Sequence, residues 1–183
     1  LAVAVLLAAA RATAQEVPPQ YQAVLFLKAL AYDHALPERV SGSVRVLVLF
    51  RPDQPESQAA ARDVAASMVE AGKTTKVVGG LPVEVREVPY IGLVGLGTVL
   101  AEKKTAAVFV CPGLENNAVG IASLTRRIGV MSGGGSEALA RGGLTLGLGT
   151  KGGKATLFVN LTAAKAEGVR LDSNLLRLAQ VIP

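Results

Sequence analysis

Residues 152–182 read GGKATLFVNLTAAKAEGVRLDSNLLRLAQVI. The pair Gly152-Gly153 opens a strand-like run, 154–159, that alternates and then fills with apolar side chains. Asn160 stands where a helix begins, its side-chain oxygen placed to take free amide hydrogens, and Gly168 closes that helix by adopting the left-handed conformation. Leu171, Leu175, Leu178 and Ile182 then recur at helical spacing. That spacing predicts a final helix with one apolar face docked on the body. A strand, a short helix and a locking helix are thereby expected in sequence.

Working outward, residues 144–148 and 154–159 form a hairpin about Lys151-Gly152-Gly153. Upstream, strand and helix patterns alternate. Strands are expected at 44–50, 74–78, 83–88, 106–111 and 128–131, and helices at 21–32, 56–71, 91–104, 115–127 and 137–141. The run 44–50 is almost continuously aliphatic, as in a strand covered on both faces. Alternation of this kind predicts a three-layer α/β fold: a mainly parallel central sheet, helices on both faces, a C-terminal antiparallel hairpin at the edge and a docking helix.

Residues 1–10 are uninterruptedly apolar, and Ala12-Thr13-Ala14 is a small-x-small cleavage pattern followed by Gln15. A bilayer span needs roughly 20 apolar residues, so 1–14 reads as a signal peptide. Without a starting methionine or a basic n-region, it reads as one lacking its first residues. Residues 15–183 are then one α/β domain, exported to the periplasm. Half the residues are apolar but only 4% are aromatic, so Val, Leu and Ala must build the core. The net charge of +5, lowered by one when Arg11 leaves, is spread over basic residues that stand singly, with Lys103-Lys104 and Arg126-Arg127 the only adjacent pairs. No basic stripe interleaved with aromatics exists, which argues against nucleic acid. Cys111 is the sole cysteine, so no internal disulfide can form, and its apolar context predicts an inert, packed thiol.

Chemistry-bearing motifs are sparse. Ser132-Gly133-Gly134-Gly135-Ser136 is the phosphate-loop lookalike, yet no G-x-x-x-x-G-K-[ST] spacing accompanies it, and a flexible turn explains it. Ligands in open α/β sheets bind at the carboxyl ends of strands. Arg51, Pro112-Gly113 and the loop of Ser132, Gly133 and Gly134 are expected there. His34, the sole histidine, falls at the end of the first helix and reads as a surface or capping residue. A metal site would need His34 and Cys111 together with carboxylates, and no ligand spacing supports one. No G-x-S-x-G occurs, so neither a catalytic constellation nor a cofactor is expected.

Taken in order, Phe158-Val159-Asn160-Leu161-Thr162-Ala163-Ala164-Lys165-Ala166-Glu167-Gly168 and the leucines after it resemble the closing signature of the YfiR family of secreted bacterial proteins. Gly129-Val130-Met131-Ser132 is similar to that family's last core strand, and weaker likeness covers 24–33, 44–50 and 106–111. The resemblance implies a periplasmic, non-enzymatic regulator of cyclic-di-GMP signalling. Its partner would be an inner-membrane sensor protein, a diguanylate cyclase or a histidine kinase, and it could act as a homodimer. The chain departs from the family in having Leu36-Pro37 where Trp-Pro is usual, and in lacking the family's further cysteines. Redox control and a tryptophan-dependent pocket are therefore not expected. Leu146 and Leu148, read as exposed apolar positions of the hairpin, and nearby Lys151 are the expected partner contacts. From other classes, a small-ligand periplasmic binding protein is the alternative, and a hydrolase using His34 is the weakest reading.

Overall fold

The computed structural model describes residues 17–102 and 105–182. The expected signal peptide, 1–14, lies outside them. Prolines 18 and 19 start α1 (Pro19–Ala31), with Pro19 at its first position, where no amide hydrogen is needed. A short α2 (Leu36–Arg39) leads into β1 (Val44–Phe50), whose side chains are buried on both faces as the aliphatic run requires. Then follow α3 (Pro55–Gly72), β2 (Val83–Pro89), α4 (Leu93–Glu102), β3 (Ala107–Val110) and α5 (Ala118–Ile128). The chain finishes with β4 (Met131–Gly134), α6 (Glu137–Arg141), β5 (Leu146–Lys151), β6 (Lys154–Asn160), α7 (Leu161–Ala166), α8 (Ser173–Leu178) and β7 (Gln180–Ile182).

Among the described residues the strands form one sheet in the order β2-β1-β3-β4-β5-β6-β7. All pairings are parallel except β5 with β6. Period-two alternation divides the core into two layers. Val44, Val46, Val48, Phe109, Met131, Leu146 and Leu148 face α1 and α3 on one side. Leu47, Leu49, Val108 and Val110 face Leu96, Ile121 and Leu139 of α4, α5 and α6 on the other. Phe26 of α1 meets Phe109 edge-on, with centroids 5.2 Å apart. The three-layer α/β expectation holds.

Four expectations need correction. Residues 74–78 are not a strand: α3 runs to Gly72, and Gly79 and Gly80, both left-handed, shape a turn at Val78–Gly80 instead. Ser132, Gly133 and Gly134 are not a loop but the middle and end of β4: all three pair with β3, and Gly133 and Gly134 also pair with β5. Glycine is needed there for closeness, since a Cβ on Gly133 would lie 2.8 Å from the Phe26 ring and one on Gly134 would strike Leu139. The last helix stops at Leu178, and Gln180–Ile182 pair in parallel with Phe158–Asn160, so β7 rather than the hairpin forms the edge. Ile182 reaches its burial beside Phe158 from a strand, while Leu178 points away, 86% exposed. The hairpin turn itself is as expected: Gly152 and Gly153 both take positive φ between the paired Lys151 and Lys154.

Candidate functional site

At the carboxyl ends of the strands, two of the residues expected around a ligand bond each other instead. Between β1 and β3 the topology reverses direction, and Arg51 and Gly113 do meet there. They meet by bonding each other: Arg51 Nη1 donates to the Gly113 carbonyl (3.3 Å) and Nε to Asp53 Oδ1 (3.0 Å). The Arg51 amide donates to Ser57 Oγ (2.9 Å), and the Gly113 amide to Glu115 Oε2 (2.9 Å). Ser132, Gly133 and Gly134 do not join this group, because they lie inside the sheet between α1 and α6. Beyond them Gln22 packs against Gly135 and donates to the Val17 carbonyl at 2.6 Å. Gly147-Leu148-Gly149-Thr150-Lys151-Gly152 has G-x-G-x-x-G spacing, but it runs along β5 into the hairpin turn with no helix after it.

Leu146 and Leu148 are fully buried against α1 and α3, so they are core and not a contact surface. They occupy the inward phase of β5, the alternation that glycines 147 and 149 obscure in the sequence. Lys151 is exposed, and its Nζ donates to Gln180 Oε1 (2.6 Å), joining the hairpin to β7. Cys111 is buried beneath α1 and α3. Burial, aided by the charge of Glu87, pushes its pKa up to about 12, so it carries no thiolate at neutral pH. His34 is largely exposed, and its Nε2 lies 2.9 Å from Asp172 Oδ2. The Asp172 carboxyl is held below the ordinary carboxylate range by the Asn174 amide and by His34.

At the amino ends of the strands, two buried acids organise the structure. Glu167 follows α7 and is wholly buried. Its Oε1 accepts from Thr125 Oγ1 (2.6 Å) and Ser132 Oγ (2.5 Å), and its Oε2 from the Ser132 amide (2.9 Å) and Thr145 Oγ1 (2.6 Å). Burial raises its pKa, partly offset by those four donors. One carboxyl thereby fastens α7 to α5, β4 and the start of β5. Asp33, at the end of α1, accepts from the Ala35 amide (3.0 Å) and the Arg170 amide (2.8 Å) and pairs with Arg39. Neither acid is among the site residues the sequence predicts. The available signal for Glu167 is its phase, since it shares a helical face with buried Ala163 and Ala164.

Above Glu167 lies an open groove of about 670 Å³. It is bounded by the ends of α2, α4, α5 and α7, and Arg39, Arg126, Arg127 and Lys165 stand along it. Among the described residues no cluster of His, Cys, Asp or Glu could hold a metal, and no helix is long and apolar enough to cross a membrane.

A mostly parallel sheet sandwiched by helices, with a hairpin and a short parallel strand at one edge, defines a three-layer α/β protein. The sequence profile of the YfiR/HmsC-like family matches residues 58–180, and the chain belongs to that family. It is a family of periplasmic, non-enzymatic regulators of cyclic-di-GMP signalling. No curated protein matches the sequence. Among solved structures, an ABC domain in complex with L-Trp from Streptococcus pneumoniae is similar with TM-score 0.65 at 17% identity, over 90% of this chain and 60% of that one. A conserved domain protein from Vibrio cholerae O1 biovar El Tor gives 0.58 at 14%, over 91% and 60%. The ligand-free, open form of CD0873, a substrate-binding protein with adhesive properties from Clostridium difficile, gives 0.50 at 10%, over 81% and 57%. The chain thus spans 60% of the first two structures it matches, and at these identities the likeness is one of fold.

Proposed function

We propose that this protein is an exported periplasmic regulator that binds the periplasmic region of an inner-membrane signalling protein, such as a diguanylate cyclase, and modulates its output. The observation that carries this reading is the family match, which runs from α3 to β7. A histidine kinase is the other partner of the same class. Residues 1–14 serve as the signal peptide in this reading, and 15–183 act as one domain through surface contacts, with no catalytic step.

The contact surface is proposed at the β7 edge. Lys151 is exposed there, Leu178 at the end of α8 is 86% exposed, and Val181 is 45% exposed on a strand that carries no charge of its own. The opposite edge, β2, presents Glu84, Arg86 and Glu87, charges that discourage further pairing. Tagged mature protein should capture an inner-membrane protein with a cyclase or kinase output domain from detergent-solubilised membranes of its own host. Leu178→Asp should abolish the capture without lowering thermal stability. Failure to enrich any such protein overturns the reading. Capture of the untagged chain alone shows a homodimer instead.

A small-ligand carrier is the second reading, supported only by likeness to a fold solved with L-Trp. The mutual bonding of Arg51 and Gly113 weighs against it. A carrier saturated at 100 times its Kd should gain about 2.7 kcal/mol of stability in a thermal-shift panel.

A further inference from the structure

Open α/β sheets place ligands at the carboxyl ends of their strands, yet here the broad basic concavity of about 670 Å³ lies at the amino ends. Its walls are where α2, α4, α5 and α7 finish before or beside β1, β3, β4 and β5. Leu100 and Val130 give it an apolar back, and Arg126, Arg127 and Lys165 stand exposed around it.

Cations at helix C-termini have an ordinary explanation, the partial negative charge of the helix end. That charge is about −0.5 per helix. Here α5 ends with Arg126 and Arg127, and α7 with Lys165. Three full charges against the partial ones of all four helix ends leave a surplus of about one. The groove's own acids do not cancel it. Glu38 is engaged by Arg170, and Glu167 is buried beneath hydroxyl and amide donors. Among the described residues no carboxylate pairs with Arg126, Arg127 or Lys165, and Arg126 spends one donor on the Gly143 carbonyl (2.8 Å). Arg39 adds a second kind of observation. Its head group is held by Asp33 and the Gly129 carbonyl, but its Nε is buried without an acceptor. A buried donor left without an acceptor is costly and calls for one.

We infer that this groove binds a small polyanion, a compound with an apolar frame carrying at least two negative charges on phosphate or carboxylate groups. Volumes of roughly 300–1,000 Å³ suit such ligands, and convergent guanidinium groups bind both oxyanion types through charge-assisted hydrogen bonds. The same headgroup chemistry is offered by a free metabolite and by an anionic phospholipid. The inference needs no protein partner, so it stands or falls apart from the regulator reading.

Calorimetric titration of the full chain with inorganic pyrophosphate and with citrate, beside co-sedimentation with phosphatidylglycerol vesicles, tests it. Saturable one-to-one binding is expected, weakened at least about tenfold in Arg127→Gln/Lys165→Gln. Lys28→Gln/Lys154→Gln, which removes the same charge elsewhere, should bind as the parent does. Each single groove variant should shift affinity in the same direction at unchanged ligand-free Tm. Binding confined to vesicles and lost in the groove variant supports the site with a lipid headgroup as its source. No binding to any probe, or equal weakening in both double variants, overturns the inference. Binding of polyglutamate alone overturns it too, in favour of an acidic protein segment.

Discussion

The most consequential single side chain is Glu167, one of two acids buried in a largely apolar body. Its two oxygens receive four hydrogen bonds from α5, β4 and the residue before β5, so removing it leaves the Ser132 amide and three hydroxyls facing a void. Glu167→Ala should therefore cost about 2–4 kcal/mol in urea denaturation, the sum of lost polar satisfaction and a cavity. Glu167→Gln keeps the volume, and rotation of the hydroxyls can satisfy its amide, so it should cost about 1 kcal/mol near neutral pH. The two also differ from the parent in pH response. Burial holds the folded-state pKa of Glu167 above its ordinary value of 4.5, so between those values the native chain keeps a proton that the unfolded chain releases. That contribution is full below about pH 4.5 and is lost as pH rises through the folded value. Parent stability should consequently fall relative to Glu167→Gln as pH increases across that window. A difference that rises with pH instead would show the buried carboxyl to be ionised throughout.

Elements were legible in proportion to how far local pattern and tertiary demand agree. The run 44–50 could only be a strand covered on both faces, and Asn160 caps α7 as its position implies, accepting from the Ala163 amide at 2.8 Å. Asn160→Ala should thus cost about 1–2 kcal/mol, since Nδ2 also donates to the Ala140 carbonyl. Where glycine intervened, the pattern misled. Gly133 and Gly134 read as loop because glycine signals turns, whereas β4 uses them to admit Phe26 on one face and Leu139 on the other. Gly134→Ala should be destabilising by about 1–3 kcal/mol through overpacking, visible as a lower urea midpoint at unchanged m. The end of α8 was hidden for another reason: Leu178 and Ile182 keep helical spacing, but only the open edge of β6 determines that Gln180–Ile182 extend as a strand. No local signal carries that. The groove was equally invisible, because Arg39, Arg126 and Lys165 meet only once four chain segments have converged.

At the scale of the molecule, the family profile begins at residue 58, after α1, α2 and β1, yet those elements belong to the same body. β1 is an interior strand, between β2 and β3, and α1 lays Phe26 across Phe109. The end of α1 is stitched to the segment before α8 by backbone and side chain alike. The His34 amide donates to the Arg170 carbonyl (2.9 Å), the Asp172 amide to the Tyr32 carbonyl (2.9 Å), and Asp33 bridges Leu171 in antiparallel fashion. Asp33 is the hub of this seam, receiving the amides of Ala35 and Arg170 while paired with the mostly buried Arg39. Asp33→Ala leaves that guanidinium and two amides without their acceptor and should cost about 3 kcal/mol. Because α1 cannot depart without exposing the sheet, the loss should fall on global unfolding. Hydrogen exchange in Asp33→Ala should then accelerate together in α1, β1 and β4, with one cooperative urea transition retained. If amides of Pro19–Ala31 exchange quickly while β3 and β4 stay as protected as in the parent, the first helix is an appendage, and residues 15–183 do not unfold as the single domain proposed.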